Sequence, residues 1–294
     1  MKSNIVARFQ LIFSVVIFGT IGIFVEYIPL PSGCIAFVRG AVGALCLLLF
    51  ALVSKTEISV KAIKSNLLIL VLSGGAIGFN WIFLFESYRH TTVATATLCY
   101  YMAPVFVMLA SPIVLGERLT AKKLVCIFAA LVGMVLVSGI TEGGKGPSDF
   151  IGVLFGLAAA ILYASVILLN KKLKEISSHN RTMIQLGCAA LVVLPYSLFA
   201  ENIDVASLNA SSVMLLLCVG VLHTGVAYLM YFGSMKVLAA QTVAVISYID
   251  PVVAIVLSAT LLKQPMNTHS VIGAVFIILS ALISEIQIKN KTSA

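Results

Sequence analysis

Charge is what this sequence has least of. Only 10% of its 294 residues are Asp, Glu, Lys or Arg, against roughly 25% in a soluble domain. A chain so poor in charge cannot cover a water-facing surface, which excludes an ordinary soluble protein. Catalytic signatures are missing too. There is no H-E-x-x-H, no G-x-S-x-G and no pair of catalytic Asp residues at membrane depth, which argues against an intramembrane enzyme. No C-x-x-C occurs, and Cys34, Cys46, Cys99, Cys126, Cys188 and Cys218 all fall within apolar segments. They read as small hydrophobes rather than disulfide partners or metal ligands. No cofactor or metal is expected.

What is present is hydrocarbon. Hydrophobic residues make up 61% of the chain, and the mean hydropathy is +1.11. Apolar stretches long enough to cross ~30 Å of lipid recur throughout. Breaking the chain at polar, Gly and Pro clusters predicts ten spans. They lie near 9–28, 33–53, 67–87, 92–114, 121–140, 150–170, 181–200, 211–232, 240–262 and 269–286. The first run follows Lys2 and Arg8 as a signal peptide would, but it is long enough to span and lacks an A-x-A site, so it is read as a retained helix. The net charge of +8 is spread over short loops and forms no stripe for nucleic acid. With the N-terminus in the cytoplasm, fifteen of the nineteen Lys and Arg residues face inward; Arg39, Arg89, Lys145 and Lys263 are the others. Both termini are therefore expected to be cytoplasmic. Ala36, Gly40 and Ala44, and likewise Gly152, Gly156, Ala160 and Ala164, recur at four-residue spacing and predict close helix packing.

The chain also matches itself. Offset by 147 residues, Phe85 meets Phe232, Ser87 meets Ser234, Thr95 meets Thr242 and Tyr101 meets Tyr248. Pro104 meets Pro251, Val105 meets Val252, Ser111 meets Ser258 and Leu115 meets Leu262, eight identities over positions 85–115. Five spans per half is an odd number, so equivalent segments enter the membrane from opposite sides. The expected fold is an all-α integral membrane protein of ten helices in two inverted five-helix repeats, 1–145 and 146–294. Such repeats place a site near the midplane and permit alternating access.

On these features the chain resembles the drug/metabolite transporter superfamily, specifically its ten-helix permeases with two EamA-type repeats. The clearest pieces are YMAPVFVMLASPIVLGERLTAKKL from Tyr101 and SYIDPVVAIVLSATLLKQPMNTHSVIG from Ser247. Asp250 stands before the ninth-span proline, where such permeases often carry an acid. Lys263-Gln264 replaces the usual Gly-Glu, and Phe18-Gly19 a frequent Trp-Gly. The resemblance implies a central cavity lined from spans one, three, four, six, eight and nine, a bacterial inner-membrane setting, and export as the commoner direction.

Counting depth along the spans places Phe18, Asn80, Tyr101, Tyr163, His223, Tyr248 and Asp250 near the midplane, as candidate substrate contacts. A carboxylate at that depth costs about 2.5–3.5 kcal/mol to insert, so Asp250 should face a cavity or a partner. It reads as a contact for a substrate ammonium, as a proton-coupling group, or as a carboxylate bonded within the bundle. His223 is the second proton-coupling candidate, against a simple hydrogen-bonded histidine. Tyr101, Tyr248 and Tyr163, with Trp81 and Tyr228, offer aromatic faces for apolar or cationic groups or pack as plain helix aromatics. Asn80 can orient a polar substrate or bond between helices. Pro104 and Pro251 are expected to kink their helices. Glu26, Arg39 and Glu86 are placed together near the outer face as a gate or structural salt bridge, and Gly116-Glu117 is read as helix termination. The expected partners are a small-molecule substrate, the bilayer and coupled protons, with a functional monomer favoured over a dimer. The function expected is permeation of a small organic metabolite, an amino acid or related amine, with import of a cationic nutrient as the alternative.

Overall fold

The computed structural model describes residues 2–116, 119–137, 146–204, 208–235, 237–238, 243, 246–264 and 266–285. Thr242, Glu117 and the charged residues Arg118, Lys145, Lys236, Lys289 and Lys291 lie outside these residues. Among the described residues all regular secondary structure is helical. The helices are α1 (Lys2–Glu26), α2 (Ser32–Val53), the short α3 (Val60–Ser65), α4 (Leu67–His90), α5 (Val93–Tyr100), α6 (Ala103–Leu115), α7 (Ala121–Val137), α8 (Gly146–Asn170) and α9 (Ser178–Phe199). They continue as α10 (Ala210–Gly220), a π-helical turn (Val221–Val226), α11 (Ala227–Met235), α12 (Ile249–Thr260) and α13 (Thr268–Glu285).

Seven helical runs among the described residues are long and apolar enough to cross a membrane, Val93–Leu115 and Ala210–Met235 being interrupted runs counted as one each. Ile249–Thr260 and Thr268–Ile283 are shorter apolar helices. The outward faces carry bare hydrophobes, with Phe9, Leu68, Phe128 and Leu191 all largely exposed. In water such a surface would drive association; in lipid it needs no partner. Polar side chains within the helices are satisfied locally. Ser14 donates to Leu11 O (2.8 Å), Ser73 to Ile69 O (2.6 Å) and Ser280 to Ile277 O (2.8 Å), as hydrocarbon surroundings require.

Close helix approach uses the small residues. On α8, a Cβ at Gly152 would stand 2.8 Å from the side chain of Thr91, and one at Gly156 2.6 Å from that of Cys99. Ser87 donates to Gly152 O (2.7 Å) and Asn80 to Ala159 O (2.6 Å), so the α4–α8 seam is hydrogen-bonded as well as packed. Gly40 brings α2 against Leu186 and Ala190 of α9, and Gly133 of α7 meets the backbone of Gly273 on α13. The Gly116 expectation also holds, since that residue ends α6 in the left-handed conformation (φ 69°) and donates its N–H to Ser111 O. Only glycine takes that region without strain.

Candidate functional site

The site is built on two broken helices. A proline lacks the N–H that the carbonyl four residues earlier would accept, so each leaves one backbone acceptor free inside the bundle. Pro104 frees Tyr100 O and Pro251 frees Ser247 O. In both places the chain turns before the proline. Tyr101, between α5 and α6, has φ −70° and ψ 2°, and Tyr248, before α12, has φ −73° and ψ −2°. The Tyr101 hydroxyl lies within hydrogen-bond reach of two acceptors on the other half. It donates to Asp250 Oδ2 at 2.8 Å, and Ser247 O, the carbonyl that Pro251 leaves without its helical donor, lies at 3.4 Å.

Around this junction the interior is aromatic. Tyr101 lies 6.0 Å from Tyr248 and 6.3 Å from Tyr100, measured between ring centroids, and Tyr100 lies 5.3 Å from Tyr163. Phe18 of α1 is edge-on to Tyr228 (5.4 Å) and Tyr231 (5.9 Å) of α11. Tyr163 keeps 39% of its surface, and Phe18, Tyr100, Tyr101 and Asp250 are half-buried. These rings contact one another and each keeps part of its surface uncovered, which makes them the candidate lining of an internal chamber. Asp250 Oδ1 carries no hydrogen bond among the described residues, and it is not among the sealed, unpartnered atoms of the interior. No cation lies within 4.0 Å of that carboxylate among the described residues.

Two expected site residues have internal partners instead. Asn80, only 2% exposed, spends its amide on Ala159 O. His223 is fully buried and sits in the π-turn, with Nε2 2.9 Å from Thr20 Oγ1 and Nδ1 3.3 Å from Cys218 O. The ring is edge-on to Phe24 at 4.6 Å. Both ring nitrogens are thus engaged away from Asp250, and the two do not form a pair.

The expected cluster of Glu26, Arg39 and Glu86 needs correction. Glu26 is exposed. Glu86 lies beside Arg89 (4.0 Å) and His90 (3.9 Å) on its own helix, and Arg89 also donates to Leu30 O. Arg39 lies about two turns into α2, on the face turned to the bundle, and is 6% exposed. Its Nε donates to Thr224 Oγ1 at 3.0 Å, and its guanidinium carbon lies 4.3 Å over the Trp81 ring. Thr224 passes the bond on by donating to Val219 O, five residues back, at 3.0 Å. The π-turn creates that geometry; such turns concentrate at functional sites.

A separate cavity of about 350 Å³ lies between the C-terminal ends of α4 and α9, beside the loop before α2, lined by Pro31, Ile82, Glu86, Arg89, Tyr196 and Glu201 among others. Glu201 accepts from Gly33 N (2.8 Å) and Cys34 N (3.1 Å), capping the start of α2 from a distant loop. Burial, opposed by these two N–H groups, leaves its carboxyl raised above the ordinary range, with Glu86 adding in the same direction. All six cysteines are free thiols, and the described residues hold no group of three His, Cys, Asp or Glu suited to a metal.

Sequence reasoning missed Tyr100 and Tyr231 as members of this aromatic cluster and the inward turn of Arg39. The neighbouring tyrosines were a signal for the first two. For Arg39 the signal was its position inside an apolar span, where a charge must find an interior use.

Comparison with known proteins gives this geometry its context. The EamA-like transporter family matches twice, over residues 6–139 and 150–285. An uncharacterized transporter, YxxF, of Bacillus subtilis (strain 168) is 30% identical over 294 residues, covering 99% of this chain and 93% of its own. Protein PecM of Dickeya dadantii (strain 3937) is 28% identical over 222 residues, 73% of this chain and 72% of its own. A solved crystal structure superposes with a TM-score of 0.66 at 19% identity, over 95% of both chains, and supports the fold. The chain is a multi-pass membrane transporter and belongs to the EamA-like transporter family of the drug/metabolite transporter superfamily.

Proposed function

We propose that this transporter carries a small organic metabolite, an amino acid or related amine, by alternating access through the aromatic chamber. In this reading the protein has ten spans in two inverted halves, 1–145 and 146–294, with both termini in the cytoplasm of a bacterium. Three observations support the inverted halves: the double family match, the self-match at 147 residues and the equal backbone turns at Tyr101 and Tyr248. The cavity beside Glu201 then lies at the outer end. The observation that carries the substrate assignment is Asp250. One oxygen is held by a tyrosine from the other half and one is open to a chamber of aromatic rings. A carboxylate so placed, with aromatic faces around it, suits an ammonium group. Export follows from the resemblance, and protons exchanged at Asp250 are the proposed coupling ion. His223, with both nitrogens occupied, is proposed as a structural support of the π-turn. One chain encloses the pathway and acts as a monomer.

Import of a cationic nutrient is the second reading, favoured by the same aromatic lining. Flux of radiolabelled amino acids and amines, measured in proteoliposomes with imposed gradients of either direction, separates the two. The expected result is substrate-dependent flux that Asp250→Asn lowers about 10–100-fold, the worth of a charge-assisted contact. Equal flux in the two proteins would refute the assignment of Asp250. Absence of flux for every compound would refute the substrate class.

A further inference from the structure

We infer that Arg39 is the receptor for a substrate carboxylate, so that the chamber selects zwitterionic amino acids over the corresponding amines. The inference rests on the transport reading above and narrows its substrate class.

Arg39 is buried, yet among the described residues no carboxylate lies within 4.0 Å of its guanidinium. Its only hydrogen bond there is from Nε to Thr224. Nη1 and Nη2, the pair that grips a carboxylate in a fork, carry none, and neither is among the sealed, unpartnered atoms of the interior. They therefore face open space inside the bundle. A buried charge without a counter-ion is costly, and the stacking of Arg39 on Trp81 at 4.3 Å returns only part of that cost. What the side chain gains from its surroundings is orientation. Thr224 fixes Nε from one side, the Trp81 ring fixes the plane from another, and Phe85 lies beyond at 6.0 Å. A guanidinium fixed by Nε and one face, with both terminal nitrogens free, is pre-organised for two parallel bonds to a planar anion.

Charge balance selects the ligand. Helix α1 links the two ions: Gly19 lies against Asp250 O, its neighbour Thr20 bonds His223, and Arg39 bonds Thr224, the residue after His223, so both ions sit at one level of the bundle. One positive and one negative site match a molecule carrying one of each. A phosphate dianion would meet a single cation and a repelling carboxylate. A simple amine would leave Arg39 uncompensated. An amino acid satisfies both sites, its carboxylate on Nη1 and Nη2 and its ammonium on Asp250 Oδ1.

The test uses the purified full-length protein in detergent and in proteoliposomes. The probes are the proteinogenic amino acids, each beside its decarboxylated amine and its deaminated acid. Binding is read by thermal shift and transport by counterflow. An amino acid is expected to bind and exchange about 10–100-fold better than its amine. Arg39→Gln should bring the amino acid down to the level of the amine while leaving the amine's own affinity within about twofold, since only the carboxylate contact is removed. Thr224→Val, which keeps the charge but frees Nε, should weaken the amino acid by about 3–10-fold, because the carboxylate contact survives and only its orientation is lost. Two results would overturn the inference without touching the transport reading: amines carried as well as amino acids by the unaltered protein, or a monodisperse Arg39→Gln protein that still prefers the amino acid. Should nothing in the panel bind or move, the transport reading and this inference fall together.

Discussion

Tyr101–Pro104 and Tyr248–Pro251 share a backbone and differ in chemistry. Both tyrosines have φ near −70° and ψ near 0°, and both stand three residues before a proline. The residue before each proline differs. Ala103 is 1% exposed and packs with Leu98, Met102, Val105 and Ile127. Asp250 is half-buried and faces Tyr101 across the junction. The break is thus a property of the prolines and needs no charge to form. The carboxylate stands at one of the two junctions only, where it accepts from the Tyr101 hydroxyl. Under the proposed transport reading, the shared turns would frame the passage and the single carboxylate would hold the ligand.

Exchanging the two residues is the harshest way to break this comparison. The double substitution Ala103→Asp with Asp250→Ala keeps composition and total charge but moves the carboxylate into the Met102–Ile127 core. That placement should cost about 2.5–3.5 kcal/mol and lower transport at least about 100-fold, because the substrate contact is lost as well. Thermal melting and proteoliposome flux measure the two effects. Transport retained by the exchanged protein would mean that either side of the junction can serve. A milder change is Tyr101→Phe, which removes the hydroxyl shared by Asp250 and Ser247 O. Flux should fall about 10-fold, the worth of a bond to a charged group. An unchanged flux would reduce that contact to packing.

Asn80 sharpens the contrast between chamber and seam. It shares the depth of Asp250 but bonds Ala159 O across the α4–α8 interface. Asn80→Ala should cost about 1 kcal/mol of stability, the worth of an ordinary hydrogen bond, and leave substrate affinity within about twofold. Loss of affinity at unchanged melting temperature would return Asn80 to the chamber.

Asn80 and Arg39 also show which parts of the site could be read from sequence. Hydropathy reports apolar length, so seven long spans were legible among the described residues, as were the matching turns at Tyr101 and Tyr248 from the repetition of their prolines. Counting along a helix gives depth but not direction around the axis. Counting could not supply the partner of Asn80, since that partner is a carbonyl 79 residues away. Arg39 was assigned to the outer gate because a charge one to two turns from a span end can reach the interface. Its actual direction is set by Thr224, and Thr224 is aimed by a π-turn. The turn comes from a one-residue change in hydrogen-bond register that leaves hydropathy unaltered. The link from Glu201 to the start of α2 is likewise invisible, joining residues 168 positions apart.

That link gives the smallest predicted effect, and one with a definite sign. Glu201 lies outside the spans, in the loop after α9, with its carboxyl raised above the ordinary value chiefly by burial. A raised carboxyl means that the folded protein holds its proton more tightly than the unfolded chain does. Its contribution to stability is therefore fully present below the ordinary carboxylate value and is lost as pH rises through the raised one. The capping N–H groups of Gly33 and Cys34 work against this by favouring the charged form, so the net slope is shallow. Partial exposure to solvent weakens it further. The melting temperature of the protein in detergent should thus decline slightly between the ordinary and raised values. In Glu201→Gln that component of the decline should vanish, because the amide does not titrate. The amide keeps one acceptor for α2 but loses the second, so the variant should also melt about 2–4 °C lower at neutral pH. Were the variant to show the same pH slope as the parent, the slope would belong to other carboxylates, and the cap on α2 would have no part in it.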